Sequence, residues 1–329
     1  MSFMKLDATF YLRLKLTTEY DSNIFTLSQN DLDRFQNHQS FEYIKTTDDL
    51  KEKIDFRVSK KFVYHAHNIT PFVQPTIILL MKNQDKQTHH FLSGFLYSYK
   101  GFSINSSYGY YPQNYLRNFL DQDGTQQNEK FIYDKMMWRF SSSYKISNYI
   151  QPQLYYKHDF DHYNQYWTEY DGITQTYGVG WRLTTNLLSS NFFYYYKIFN
   201  PRHNSQETQE IYQNIKDSSY EADLLEAKIS TKRQYHLLSD YRLFCGYKRE
   251  IRYFQSSIPI AIDSYHTTRK DTINSINAGL DLWFMKNLTF TLDFLYRFRN
   301  VQSDNYRVIK AKEFDKYMIR AIFTWNTRL

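Results

Sequence analysis

Arginine and lysine recur at alternate positions in one segment of this chain after another. Arg13 and Lys15 lie two residues apart, as do Arg297 and Arg299, while Lys135 and Arg139 are four apart. Arg57, Arg182, Lys197, Lys248, Arg252 and Arg320 occupy similar settings, most of them with apolar or aromatic residues on both sides. On an extended chain, side chains two apart project from the same face. These twelve residues therefore read as fixed positive charges lining one surface, and the chemistry open to such a surface is to attract and steer anions. Aspartate and glutamate share the polar faces, at Asp55, Asp159, Asp161, Glu226, Glu250, Asp281 and Asp293, leaving a positive excess. Two readings of the basic residues stay open: work on anions, or solvation of a wet interior and pairing with the acids.

Other reactive groupings are sparse. Asp121-Gln122-Asp123-Gly124 has part of a calcium loop but lacks the third carboxylate and the closing glutamate, so a surface turn is expected. His65 with His67, and His89 with His90, are pairs of ligand type without a third ligand nearby. No glycine-rich phosphate loop, serine elbow or paired-carboxylate motif occurs. No metal, cofactor or catalytic residue is expected, and the chain reads as a non-enzyme. Cys245 falls on an apolar face as a small hydrophobe and excludes a disulfide framework.

The elements that position the basic residues show a period of two. Leu6, Ala8, Phe10, Leu12, Leu14 and Leu16 alternate with Asp7, Thr9, Tyr11, Arg13, Lys15 and Thr17. Leu288, Phe290, Leu292, Phe294, Tyr296 and Phe298 do the same against Thr289, Thr291, Asp293, Arg297 and Arg299. Such alternation is the mark of a strand with two different faces. The composition agrees, with 32 Tyr and 26 Phe against 9 Gly and 6 Pro, since Tyr and Phe favour strands. About fourteen strands are predicted, near 5–19, 51–64, 70–83, 89–99, 102–112, 131–146, 149–161, 173–187, 191–200, 218–232, 240–254, 270–285, 288–301 and 313–327.

The connections alternate in length. Short turns fall near residues 65–69, 100–101, 147–148, 188–190, 233–239 and 286–287. Longer loops fall at 20–50, 113–130, 162–172, 201–217, 255–269 and 302–312, with a middling one at 84–88. Residues 114–120 are expected to form a turn or two of helix. Short turns on one rim and long loops on the other are the pattern of a transmembrane barrel with periplasmic turns and extracellular loops. The predicted fold is all-β: one closed antiparallel transmembrane β-barrel domain over residues 1–329.

Mean hydropathy is −0.68 and no run of about 18 apolar residues occurs, so no membrane-spanning helix is predicted. A low mean does not exclude a barrel, in which only alternate residues meet lipid. A closed barrel of fourteen strands is too wide for side chains to fill, which places the polar faces inside around water and the apolar faces outside. Aromatics at Phe102, Tyr108, Tyr110, Trp138, Phe140, Tyr144, Tyr177 and Trp181 lie on the apolar faces, many toward strand ends, as in interfacial girdles. Those at Tyr11, Tyr111, Tyr133, Tyr155, Phe193 and Tyr195 fall on the polar faces, either as a stacking surface for sugars or as ordinary interior packing.

In its hairpin architecture and its last segment, Phe323-Thr324-Trp325-Asn326-Thr327-Arg328-Leu329, the chain resembles bacterial outer-membrane β-barrels over essentially its full length. The last segment resembles the terminal strand that barrel-assembly machinery recognises, but ends in Leu329 in place of Phe or Trp. Residues 20–25 are similar to a segment of barrels attached to export systems. The resemblance implies location in the bacterial outer membrane, contact with lipid and lipopolysaccharide, and a secretory signal. The start, Met1 to Lys5, shows no such signal, so a processed or trimmed chain is expected. The formal charge of +7 fits small anionic solutes as partners. Nucleic acid is excluded because the basic residues are spread over every strand and form no patch. The expected function is a pore or channel favouring anions through a basic lumen. The alternative is an outlet or anchor subunit of a larger export or surface complex, and assembly as a homo-oligomer or protein complex stays open.

Overall fold

The alternating segments pair edge to edge into one sheet that closes on itself. The structure, a computed structural model, describes residues 7–39, 41–121, 125–201, 217–234 and 240–328. Met1 to Leu6, Gln122 to Gly124 of the calcium-loop fragment, most of the 201–217 loop and Leu329 lie outside the described residues. The strands are β1 (Asp7–Asp21), β2 (Asp49–Tyr64), β3 (His67–Leu80), β4 (Thr88–Tyr99), β5 (Phe102–Leu120), β6 (Asn128–Tyr144), β7 (Ile150–Tyr163), β8 (Gly172–Thr184), β9 (Leu188–Pro201), β10 (Tyr220–Thr231), β11 (Asp240–Phe254), β12 (Lys270–Met285), β13 (Leu288–Gln302) and β14 (Phe314–Arg328). Each is antiparallel to its sequence neighbours, and β1 pairs with β14 to complete a closed fourteen-stranded barrel. Closure leaves no edge unpaired, as a barrel in lipid requires.

The outer surface is apolar. Ile69, Val73 and Ile77 on β3, Leu292 and Phe294 on β13, and Ile319 and Phe323 on β14 are all exposed. Their alternate neighbours point inward and are polar: Thr76 on β3 is 1% exposed and Asp293 on β13 is 5% exposed. A soluble barrel would reverse this arrangement. Among the described residues no helix is long and apolar enough to cross a membrane. On the outer face, Tyr hydroxyls donate to carboxylates of adjoining strands: Tyr110 to Asp134 at 2.8 Å, Tyr194 to Asp223 at 2.6 Å and Tyr296 to Asp315 at 3.3 Å.

One element departs from the sequence reading. Residues 114–120, expected to be helical, continue β5 as strand to Leu120. Two bulges in the β5–β6 register, between Tyr111 and Asn114 and between Tyr115 and Asn118, absorb Pro112 with Gln113 and Leu116 with Arg117. Gln113 adopts a left-handed φ of 49°, and its N–H donates to Asp134 Oδ1 at 2.7 Å. A bulge admits an unpaired residue without ending the strand, and pairing with β6 outweighs the local turn tendency.

Two short helices lie in the long loops. Helix α1 (Gln29–Gln36) starts at Ser28, whose hydroxyl accepts from the Asp31 N–H. Helix α2 (Tyr306–Lys312) is capped in the same way by Asn305. Both caps satisfy amide groups that a helix start leaves open.

Candidate functional site in the barrel interior

The twelve basic residues singled out above all lie on the strand face opposite the exposed apolar side chains, and they fall into two sets. Lys135 pairs with Asp161 at 3.1 Å, and Lys197 and Arg252 converge on Glu250 at 2.7 Å each. Arg320 pairs with Asp293, and Arg299 approaches Asp271 at 3.9 Å. Lys197 and Glu250 sit on β9 and β11, so this bond passes over β10 inside the barrel.

The remaining seven have no carboxylate within 4 Å among the described residues. Arg13 donates to Gln74 at 2.9 Å and Arg182 to Asn191 at 3.0 Å. The Arg57 guanidinium sits 3.7 Å from the centre of the Phe72 ring. Lys15, Arg139, Lys248 and Arg297 complete the set, and the Nε atoms of Arg13, Arg139 and Arg297 are buried with no hydrogen-bond partner. The β1–β2 register sets Arg13 directly opposite Arg57. Like charges facing each other across a strand pair are destabilising. Arg139 faces Lys157 and Arg297 faces Lys316 in the same way, but those lysines pair with Asp159 and Asp21, so among the described residues Arg13 and Arg57 are the facing cations of which neither has a carboxylate partner.

Charge is spread unevenly around the interior. The inward positions of β3 to β5, including Asn68, Thr70, Thr76, Ser98, Ser103, Asn105 and Ser107, carry mostly hydroxyls and amides; besides tyrosine, the titratable groups there are His90 and, at the mouth end of β5, Arg117. A cavity of about 450 Å³ lies against this wall, with Lys61 at its border and Ser141, Ser143 and Gln153 on its far side. The interior tyrosines pack against one another: Tyr155 on Tyr195 at 5.2 Å, Phe193 on Tyr195 at 5.2 Å, and Tyr133 on Tyr163 at 5.0 Å. Gly178 and Gly180 on β8 make room for these rings. A Cβ there would stand 2.4 Å from Tyr195 and from Phe193 respectively. This geometry favours interior packing over an open stacking surface.

The long loops fold over their end of the barrel. Leu27, Phe25, Ile24 and Ile44 from the β1–β2 loop form a small apolar core with Leu80 and Tyr115, and Leu27 is fully buried. Arg117 on β5 reaches Asp31 of α1 at 3.1 Å. Lys312 of α2 lies 5.9 Å from the Phe119 ring of β5, although β1 to β4 separate β14 from β5 around the wall. Contacts between α1 and α2 complete the span. Lys86, in the β3–β4 loop, donates to the carbonyls of Tyr115 at 3.0 Å and Leu116 at 2.6 Å and lies over the Phe25 ring. Burial, helped by neighbouring cations, pushes both Lys86 and Lys312 down to about 7.

Sequence reasoning missed this mouth. Arg117, Arg269 and Lys312 stand in or beside three different loops, and no local spacing links them. It also missed Lys51, Lys53 and Asp49, whose alternation with Asp55 and Arg57 is a legible signal. Asp49 is 1% exposed and accepts five hydrogen bonds from Leu50, Lys82 and Asn83 at 2.7 to 3.3 Å. His67 bonds the Tyr97 hydroxyl at 2.8 Å, and His90 stacks on Tyr111 at 4.6 Å. Among the described residues no three His, Cys, Asp or Glu side chains gather as a metal set.

By sequence, the chain matches no protein-family model and no curated protein. By structure it is similar to the outer membrane channel DcaP of Acinetobacter baumannii, with a TM-score of 0.50, 7% identity and 99% of each chain covered. It is also similar to OmpT, an outer membrane protein of Vibrio cholerae, with a TM-score of 0.49, 8% identity and coverage of 97% and 99%. A bacterial polysaccharide outer membrane secretin gives 0.49, 6% identity and coverage of 96% and 98%. The likeness is one of fold. The chain has the closed antiparallel architecture of outer-membrane β-barrels, with an apolar outer surface and a charged interior.

Proposed function

We propose that this barrel is a passive pore of the bacterial outer membrane, without catalysis, whose interior favours small anionic solutes. The observation that carries the reading is the facing pair Arg13 and Arg57, mid-strand on β1 and β2, with no carboxylate within 4 Å of either among the described residues. Two cations held opposite each other cost stability, and a passing anion relieves that cost. Lys15, Arg139, Lys248 and Arg297 add unpaired charge around the same interior, and all twelve basic residues are assigned here to the pore lining. Lipid and lipopolysaccharide surround the apolar exterior in this reading. The test is the reversal potential in a planar bilayer under a tenfold KCl gradient. Anion preference is expected, and cation preference in the unaltered protein overturns the proposal.

A further inference from the structure

We infer that the mouth formed by the long loops holds a binding site for the oxyanion group of a solute, built from Lys312, Arg117, Arg269 and Arg299. The four come from α2, β5, the β11–β12 loop and β13, and shared neighbours bring them together. Lys312 Nζ lies 5.9 Å from the Phe119 ring, and the Arg117 guanidinium lies 4.5 Å from the same ring. Lys312 Nζ is also 5.4 Å from the ring of Tyr265, whose carbonyl accepts from Arg269 Nη1 at 3.2 Å. Arg299 Nε donates to the carbonyl of Lys312 itself at 2.5 Å.

The carboxylates nearby are already engaged. Asp271 is gripped by Arg269 through two bonds of 2.8 and 2.6 Å. Asp31 is held by Arg117 at 3.1 Å and approached by Arg34 at 3.9 Å. Glu313 accepts from the Val301 N–H at 3.0 Å. The Lys312 ammonium is left with two aromatic faces and no anion within 4 Å among the described residues. A partly buried ammonium without a counter-charge is costly, and an oxyanion with several acceptor oxygens supplies what is missing.

The site adds a capture point above the facing arginines of the bore. It rests on the pore reading for the route by which a solute arrives, and on its own geometry for binding. Lys312 is held down to about 7 by burial and by Arg269, Arg117 and Arg299, with Asp271 opposing. An anion favours its charged form, so binding weakens as pH rises through neutrality. Two other titratable groups stand nearby. His266 is paired with Asp263 at 2.8 Å, and Lys86 faces the Tyr115 and Leu116 carbonyls.

The experiment is calorimetric titration of the full chain in detergent with sulfate, whose charge is constant over the range used. The unaltered protein is expected to bind sulfate, with affinity falling about tenfold between pH 6 and pH 8.5. Lys312→Met should weaken binding at pH 6 by about tenfold and remove the pH dependence, while keeping the heat-modifiable gel mobility of a closed barrel. Arg117→Gln is the second variant and should weaken binding similarly. Sulfate affinity unchanged in both variants, or lost only on replacing Arg13 and Arg57, overturns the site. Reversal potentials separate the two readings. Sulfate binding that needs Lys312 in a cation-selective barrel supports the site and sinks the pore proposal, whereas an anion-selective barrel with no Lys312-dependent binding does the reverse.

Discussion

Arg57→Gln should separate selectivity from stability. Directly opposed side chains begin about 5 Å apart at Cβ, and Arg57 faces Arg13 in the β1–β2 register. With the two guanidiniums roughly 6 Å apart and an effective dielectric of about 20 to 80, the repulsion is about 0.7 to 3 kcal/mol. The substitution also removes the contact with Phe72, at 3.7 Å, a type worth about 0.5 to 2 kcal/mol. These terms oppose each other, so stability should stay within about 1 kcal/mol of the parent. Arg320→Gln is the contrast. It strands Asp293, which is 5% exposed and keeps only Asn277 Nδ2 at 3.5 Å, at a cost on the order of 2 to 3 kcal/mol. Urea unfolding followed by tryptophan fluorescence gives the stabilities, and reversal potentials give the selectivity. Arg57→Gln should hold its midpoint while the reversal potential moves toward zero. The reasoning is refuted by Arg57→Gln unfolding as early as Arg320→Gln, or by a reversal potential that stays at the parent value.

Three other outcomes are expected. Leu27→Ala, at a fully buried position of the mouth core, should cost about 2 to 4 kcal/mol locally, seen as faster proteolysis of the β1–β2 loop and raised single-channel conductance. Ile77→Lys, on the exposed outer face of β3, should lower folding into lipid vesicles by about 2 to 4 kcal/mol if the position lies near the bilayer midplane; an unchanged yield contradicts the outward apolar face. Lys86 holds its proton to about 10.4 when unfolded but only to about 7 when folded. The unfolded chain therefore binds more protons between these values, and the mouth gains stability as pH rises through that window. Hydrogen exchange of the residue 24–27 amides should show this gain, and Lys86→Met should abolish it.

The barrel was legible because its signal is local and repeated. Strands β11 and β12 begin and end where alternation places them, at Asp240–Phe254 and Lys270–Met285. The misread was the end of β5, where Pro112, Gln113 and Asn114 look like a turn until β6 is laid beside them. For the basic residues, alternation gives the face of the strand and nothing about partners. Lys197 finds Glu250 only because β10 brings β9 and β11 within reach, and such diagonal pairs depend on register. The mouth was illegible for a stronger reason, since Arg117, Arg269 and Lys312 meet through loops whose paths only tertiary packing determines.

The seam between β1 and β14 bears on how the molecule comes to exist. Its partners, from Tyr11 with Arg328 to Asp21 with Met318, are separated by nearly the whole chain. Joining ends about 310 residues apart carries a loop-closure entropy of roughly 5 kcal/mol beyond a constant term, whereas every other pairing links consecutive strands. The seam should therefore form last. Until it does, β1 and β14 are open edges able to pair with a second copy. A chain cut before Phe314 would keep open edges at β1 and β13, so closure depends on the last fifteen-residue strand.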